Sequence, residues 1–167
     1  MSERSAAVHE RSRRWAQLNG GDALHRVHCG RCAVDFSDAL NTALAECGIF
    51  DRAWDETQRS WLTEVVLGVP EIGVRVSLGV ARDRQMQRRV TGNDCRDIDA
   101  LSMALPHCDI VVTEKLWTDL ARREGLETRF GTRILAKLED LLGALAGLFD
   151  ASDGRADERS HAKAMVQ

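Results

Sequence analysis

The fold of this chain is decided by the stretch NDCRDIDALSMALPHCDIVVTEK, residues 93–115. Its first half has apolar residues at helical spacing. Its second half contains Asp109–Thr113, a β-branched run without alternation that is typical of a strand buried on both faces. A helix from Leu116 to Arg123, closed by Gly125, and a second strand near 129–134 are predicted to follow. This order of elements predicts an α/β fold with a short parallel sheet covered by helices.

Acidic residues lie at the start of the predicted helix. At about 100° per residue, Asp94 and Asp97 fall on the same side as the core-facing Ile98, whereas Asp99 falls on the opposite side. Two inward carboxylates need partners, because burying unpaired charge is costly. A hard divalent cation is one such partner. Glu114, at the end of the predicted strand, lies where parallel sheets present their ligands.

The same spacing has an ordinary structural interpretation. Asp94 fits the position of a helix cap. Asp97 is also placed to pair with an arginine, and Glu114 to lie in the first turn of the next helix. The spacing alone does not decide between them, and it favours the structural roles over the metal site.

The order of these motifs resembles one branch of the PIN-domain proteins. The shared features are an Asn-Asp-x-x-Asp helix, the turn Leu105–Asp109, a hydrophobic strand, an acid just after Thr113, and Gly131–Leu135 before a Leu-rich segment. The resemblance covers residues 68–148, about half of the chain. It implies one PIN-like domain over residues 1–149. The polar sequence after Phe149, which has no apolar period, predicts a disordered tail at 150–167.

The resemblance implies a helix-rich, three-layer α/β/α domain that hydrolyses RNA phosphodiester bonds with Mg²⁺ or Mn²⁺. By position, Asp97 matches the central helix acid of the family and Asp94 its companion. Glu114 stands where an Asp is usual, and Asp99 is a weaker fourth metal ligand. PIN-like nucleases often act as toxins, so an antitoxin-like protein partner is expected beside RNA, and a homodimer is a further expectation.

The N-terminal part departs from the family pattern. PIN domains open with a hydrophobic strand that ends in a metal-anchoring Asp, and Ala33–Asp35 is only a weak match to that strand. Glu46 and Glu64 are candidates for the early helix acid, and neither lies in a motif. We therefore expect a form truncated at the N-terminus. The alternative to a nuclease is a catalytically degenerate PIN-like module that binds RNA or a protein partner without cleavage.

Arginines form the densest positive cluster of the sequence, with Arg75 nearby: Arg82, Arg84, Arg88 and Arg89. A solvated helix face is the ordinary interpretation of such a cluster. If the acids bind a metal, these arginines are instead the natural contacts for an RNA backbone, because phosphate contacts give sequence-independent affinity.

The other elements are predicted from hydrophobic periodicity. Residues 69–80 fit both an alternating strand and a helical stripe that begins at Pro70, and we favour the helix. Further helices are predicted at Ser37–Cys47, Trp54–Leu67 and Ile134–Leu148.

Composition indicates a globular protein. The chain has 167 residues, 44% of them apolar, and a formal charge of −3, so its overall charge does not point to nucleic acid. Neither a membrane span nor a secretory signal is apparent, and five cysteines then indicate free thiols in the cytoplasm. Cys29-Gly-Arg-Cys32, flanked by His25 and His28, lacks the second pair that a structural zinc site normally has.

Overall fold

The chain divides into two compact units, Met1–His107 and Cys108–Gln167. A computed structural model describes residues 10–11, 13–16, 18–20, 22–48, 64, 67–85 and 87–147. Most of the predicted helix at Trp54–Leu67 and the predicted tail at 150–167 lie outside these residues. In the described part of the chain, no helix is long and apolar enough to cross a membrane.

The first unit is helical throughout its described elements. These are α1 (Ala23–Asp35), α2 (Ser37–Glu46), α3 (Pro70–Asp83) and α4 (Gly92–Ala104). The helix predicted at Ser37–Cys47 is confirmed, and the weak strand candidate Ala33–Asp35 was wrong, because it forms the last turn of α1.

Helix α3 is the centre of this unit and packs against both α1 and α4. Pro70 occupies its first turn, where the missing N–H is tolerated. Ile72, Val76 and Val80 form an apolar cluster with Cys32 of α1. The alternating residues between them lie on the opposite side of the helix and are also buried. The helix prediction is therefore confirmed, and the strand-like alternation arises because α3 is apolar on two opposite faces.

The second unit contains a small parallel sheet. Its elements are β1 (Ile110–Val112), α5 (Lys115–Arg123), α6 (Leu126–Phe130), β2 (Arg133–Leu135) and a 3₁₀ turn (Leu138–Asp140), followed by helical residues 141–147. Val111 pairs with Ile134 in parallel register. Gly125 follows α5 with φ +70°, the left-handed conformation that often ends a helix.

Two predictions for this unit need correction. Val112 is 38% exposed, so β1 is not buried on both faces. The helix predicted from Ile134 begins later, because Ile134 and Leu135 belong to β2. The second misjudgement comes from a short apolar run, whose pattern does not distinguish a strand from a helix. The described residues are thus mainly helical with a two-stranded parallel sheet, which is consistent with the α/β class.

Two side chains form hydrogen bonds with the backbone of β2 on the edge that faces away from β1. The N–H of Ile134 donates to Glu127 Oε1 at 2.7 Å, and Arg122 Nη2 donates to the carbonyl oxygen of Ile134 at 2.6 Å. Arg122 also pairs with Glu127, at 3.0 Å. This arrangement satisfies the backbone groups that a further strand would need on that side.

Candidate functional site

Asp94, the companion acid of the predicted metal site, lies at the start of α4 with its side chain buried. Its Oδ2 accepts from the N–H of Thr91 at 2.7 Å and from the Thr91 hydroxyl at 3.0 Å, and the Thr91 hydroxyl in turn accepts from the N–H of Asp94. This reciprocal arrangement is a capping box. Its Oδ1 accepts from Arg88 at 2.6 Å. Asp94 therefore takes part in capping α4, but as the third residue of the helix, with Thr91 as the cap residue, and both of its oxygens accept from protein donors.

The other predicted ligands have different surroundings. Asp97 is half-buried on α4, one turn after Asp94. Asp99 is exposed and pairs with Arg75 of α3 at 2.7 Å. Glu114 belongs to the second unit, where it is exposed and precedes the first residue of α5. The prediction that Asp94 and Asp97 face inward and Asp99 outward is confirmed for Asp94 and Asp99, whereas Asp97 is only half-buried.

The surroundings of Asp94 are those of a capping residue and not of a Mg²⁺ or Mn²⁺ ligand. Such a cation needs carboxylate oxygens that are available as ligands, and those of Asp94 already accept three hydrogen bonds. Across the described ranges, no group of three or more His, Cys, Asp or Glu side chains is arranged to hold a metal ion. Asp35, Glu46 and Glu64, the candidates for a further acid, are all exposed.

The predicted RNA-binding arginines divide into two kinds. Arg84 and Arg89 are exposed, and the Arg88 side chain is 36% exposed. Arg82 is buried, and its Nε donates to Asp83 Oδ1 at 2.9 Å. The assignment of Arg82 to an RNA-binding surface was therefore wrong, because its guanidinium is enclosed by protein and cannot reach a phosphate.

Arg13 makes hydrogen bonds to the end of α3 and to the loop that follows it. Its Nε donates to the carbonyl of Asp83 at 3.1 Å, its Nη1 to the carbonyl of Arg88 at 2.8 Å, and its Nη2 to the carbonyl of Gln85. The side chain is buried, with 3% of its surface exposed. One guanidinium therefore satisfies the carbonyl of Asp83, at the end of α3, and those of Gln85 and Arg88 in the segment between α3 and α4.

A buried charged group joins α1 to the end of α3. Asp83 Oδ2 lies 3.0 Å from His28 Nε2, and its other oxygen accepts from Arg82. Arg82 Nη1 also lies 3.8 Å from Cys95 Sγ on α4. Sequence analysis missed Asp83 and Arg13, because their partners are distant in sequence and no local spacing links them.

We expect this group to make stability depend on pH in the acid range. Burial raises the pKa of Asp83, but the His28 hydrogen bond and the Arg82 charge outweigh that effect and lower it to about 2. Because the folded pKa lies below the unfolded one, the contribution is complete above about pH 4 and is lost as pH falls towards 2. The expected loss is about 2 kcal/mol. Urea unfolding between pH 5 and pH 2 measures it, and Asp83→Asn should flatten this part of the profile.

Gly79 gives His28 room to reach Asp83. A Cβ at Gly79 would lie 2.5 Å from Nδ1 and 2.7 Å from Cε1 of the His28 ring. We therefore expect Gly79→Ala to lower the free energy of unfolding by about 1–3 kcal/mol, since the ring must move. The helical Gly143 has no atom in the way of a Cβ, so Gly143→Ala should stabilise by up to about 1 kcal/mol. Equal effects of the two substitutions in thermal unfolding would contradict the packing of His28 on Gly79.

No protein-family model matches the sequence, and no curated protein or solved structure matches it. The likeness to PIN domains therefore rests on the motifs of residues 68–148 and stays a prediction.

Proposed function

We propose that this chain is a PIN-like module that binds RNA through the loop between α3 and α4 without cleaving it. The observation that carries the proposal is the 2.6 Å ion pair between Arg88 and Asp94. It joins the predicted RNA-binding loop to the predicted metal site. Arg88 neutralises the carboxylate of Asp94, which would otherwise be available to a cation. The charge of Asp94 therefore has a structural role.

The shape of the loop supports RNA binding. Arg13 donates to two of its carbonyls and to that of Asp83 at the end of α3, and the capping box at Thr91 and Asp94 fixes the end of the loop. These contacts keep the backbone at Arg84 and Arg89 in position before RNA binds, which lowers the entropic cost of binding. Both side chains are exposed, as contacts to a phosphate backbone must be.

The sheet supports the absence of cleavage. Among the described residues, β1 has β2 as its sole strand neighbour, and the edge of β2 is closed by Arg122 and Glu127. The strand that would carry the metal-anchoring Asp in a PIN domain has no counterpart in the described residues before α3.

A three-layer α/β/α arrangement and a cytoplasmic location belong to the same proposal. An antitoxin-like partner and a homodimer stay predictions.

Fluorescence anisotropy with a labelled single-stranded RNA tests the proposal. We expect Arg84→Gln/Arg89→Gln to raise Kd about five- to tenfold and to reduce the slope of log K against log salt concentration by about 1.4, since each single-strand phosphate contact contributes about 0.7. The loss should be similar for RNAs of different sequence, because phosphates carry no sequence information.

The matched control is Arg123→Gln/Arg129→Gln, which removes the same charge from exposed arginines of the second unit. We expect this variant to keep the wild-type salt slope. Equal losses of RNA affinity in the two double variants would mean that binding depends on net charge alone. An unchanged Kd in Arg84→Gln/Arg89→Gln would exclude the loop as the binding site.

A further inference from the structure

The thiol of Cys95 on α4 lies beside a buried arginine of α3. Arg82 Nη1 is 3.8 Å from Cys95 Sγ, with the guanidinium as the donor and the sulfur as the acceptor. The Arg82 side chain is 3% exposed, so solvent screens its charge little. Cys95 is only half-buried, so a small molecule can approach this residue although the guanidinium behind it is enclosed.

The three nitrogens of the Arg82 guanidinium have different surroundings. Nε donates to Asp83 Oδ1 at 2.9 Å, and Nη1 faces Cys95 Sγ. Nη2 is buried without a hydrogen-bond partner among the described residues. A buried donor without a partner is unfavourable, so this guanidinium retains hydrogen-bonding capacity for an acceptor atom added at the sulfur.

Two further features favour negative charge at this sulfur. Cys95 is the fourth residue of α4, close to the helix start, where the peptide dipoles stabilise anions. Arg31 of α1 also interacts electrostatically with Cys95. A cation or a helix start beside a cysteine favours the thiolate, which is the form that oxidants attack.

The other four cysteines have different surroundings. Cys32 belongs to the apolar cluster of α1 and α3, and burial raises the pKa of its thiol to about 11. Burial also raises the pKa of Cys29. Cys47 and Cys108 are exposed, and neither contacts a guanidinium in the described part of the chain. An accessible thiol and a buried arginine are therefore combined at Cys95.

We propose that Cys95 is a site of reversible oxidation by hydrogen peroxide, with Arg82 as a positioning residue. The thiolate sulfur attacks one peroxide oxygen, so that an S–O bond forms and the O–O bond breaks. Sulfur loses two electrons and the peroxide gains them. The other oxygen leaves as hydroxide and takes up the proton that the thiol released, which gives a sulfenic acid and water.

The guanidinium of Arg82 stabilises this product. The new oxygen accepts a hydrogen bond from Arg82, whose Nη2 has no other partner among the described residues. A sulfenic acid is returned to the thiol by thiol reductants. This inference goes beyond the proposed RNA binding and does not depend on it.

Trapping of sulfenic acid with dimedone in the full chain, followed by peptide mass spectrometry, tests this site. The reduced chain is treated with equimolar hydrogen peroxide, and the labelled fraction of each cysteine is followed with time. We expect Cys95 to be labelled at least about tenfold faster than Cys47 and Cys108, because these exposed thiols have no cation beside them to favour the thiolate. In urea this preference should disappear, since the contact with Arg82 depends on the fold.

Arg82→Met separates the effect of the guanidinium from that of exposure. We expect this variant to slow the labelling of Cys95 about tenfold and to leave that of Cys47 unchanged. Cys32, which is in the core, stays unlabelled as long as the variant is folded. Labelling of Cys95 no faster than that of Cys47 and Cys108, a preference that persists in urea, or an unchanged Cys95 rate in folded Arg82→Met would each overturn the proposal.

Discussion

Asp83→Asn should lower the free energy of unfolding by about 3–5 kcal/mol, the range for breaking a buried ion pair by removing one partner. The carboxylate is the hydrogen-bond partner of Arg82 Nε and lies 3.0 Å from His28. Arg82 Nη2 is buried without a hydrogen-bond partner among the described residues. Loss of the Asp83 charge therefore leaves a buried cation uncompensated. Urea unfolding at pH 7 measures the effect.

Asp99→Asn is the matched control, because it makes the same substitution in an exposed ion pair. The Asp99 side chain is 54% exposed and pairs with Arg75, so the expected effect is within about 1 kcal/mol. If Asp83→Asn is no more destabilising than Asp99→Asn, the buried group contributes little to the stability of the fold.

Arg13→Met should lower the free energy of unfolding by about 3–4 kcal/mol, because three carbonyls lose their donor and each unsatisfied group costs about 1–3 kcal/mol when buried. Two of the three hydrogen bonds are only partly buried, which limits the total. Methionine retains much of the apolar volume of the side chain, so the change reports mainly on the hydrogen bonds. Thermal and urea unfolding provide the measurement.

Arg14→Met is the control, since Arg14 is the exposed neighbour of Arg13. A surface substitution of this kind is expected to change stability by no more than about 0.5 kcal/mol. Arg13→Met should also weaken RNA binding, because the loop backbone between α3 and α4 loses its fixed conformation. Normal stability with normal RNA affinity would contradict the role assigned to Arg13.

Local sequence patterns predicted most of the described helices. Pro70 and the apolar stripe of α3, and Gly125 after α5, mark their helices in ways that depend on neighbouring residues alone. The strand at Ile110–Val112 was also anticipated. Its parallel partner, Arg133–Leu135, overlaps only the end of the predicted range 129–134, whose first residues belong to α6. The helix predicted from Ile134 was placed too early, because the first two residues of the apolar run pair with β1 and the local pattern is the same in either conformation.

The candidate site was less predictable, because its contacts join distant residues. Helical spacing correctly placed Asp94 inward, but whether its partner would be a metal or a protein group depended on Arg88, six residues earlier in a loop. Arg82 and Arg84 look equivalent in the sequence, although one is buried and the other exposed. The 55-residue separation between His28 and Asp83 leaves no periodicity from which to predict their contact.

In the proposed function, the acids of α4 support the fold and RNA is bound without being cut. The most direct test is incubation of a labelled single-stranded RNA with the wild-type chain and Asp97→Asn, each with Mn²⁺ and with EDTA, followed by separation of the products on a gel. We predict intact RNA in all four reactions, at protein concentrations that saturate binding. Cleavage that requires Mn²⁺ and is abolished by Asp97→Asn would contradict the account and establish a metal-dependent ribonuclease.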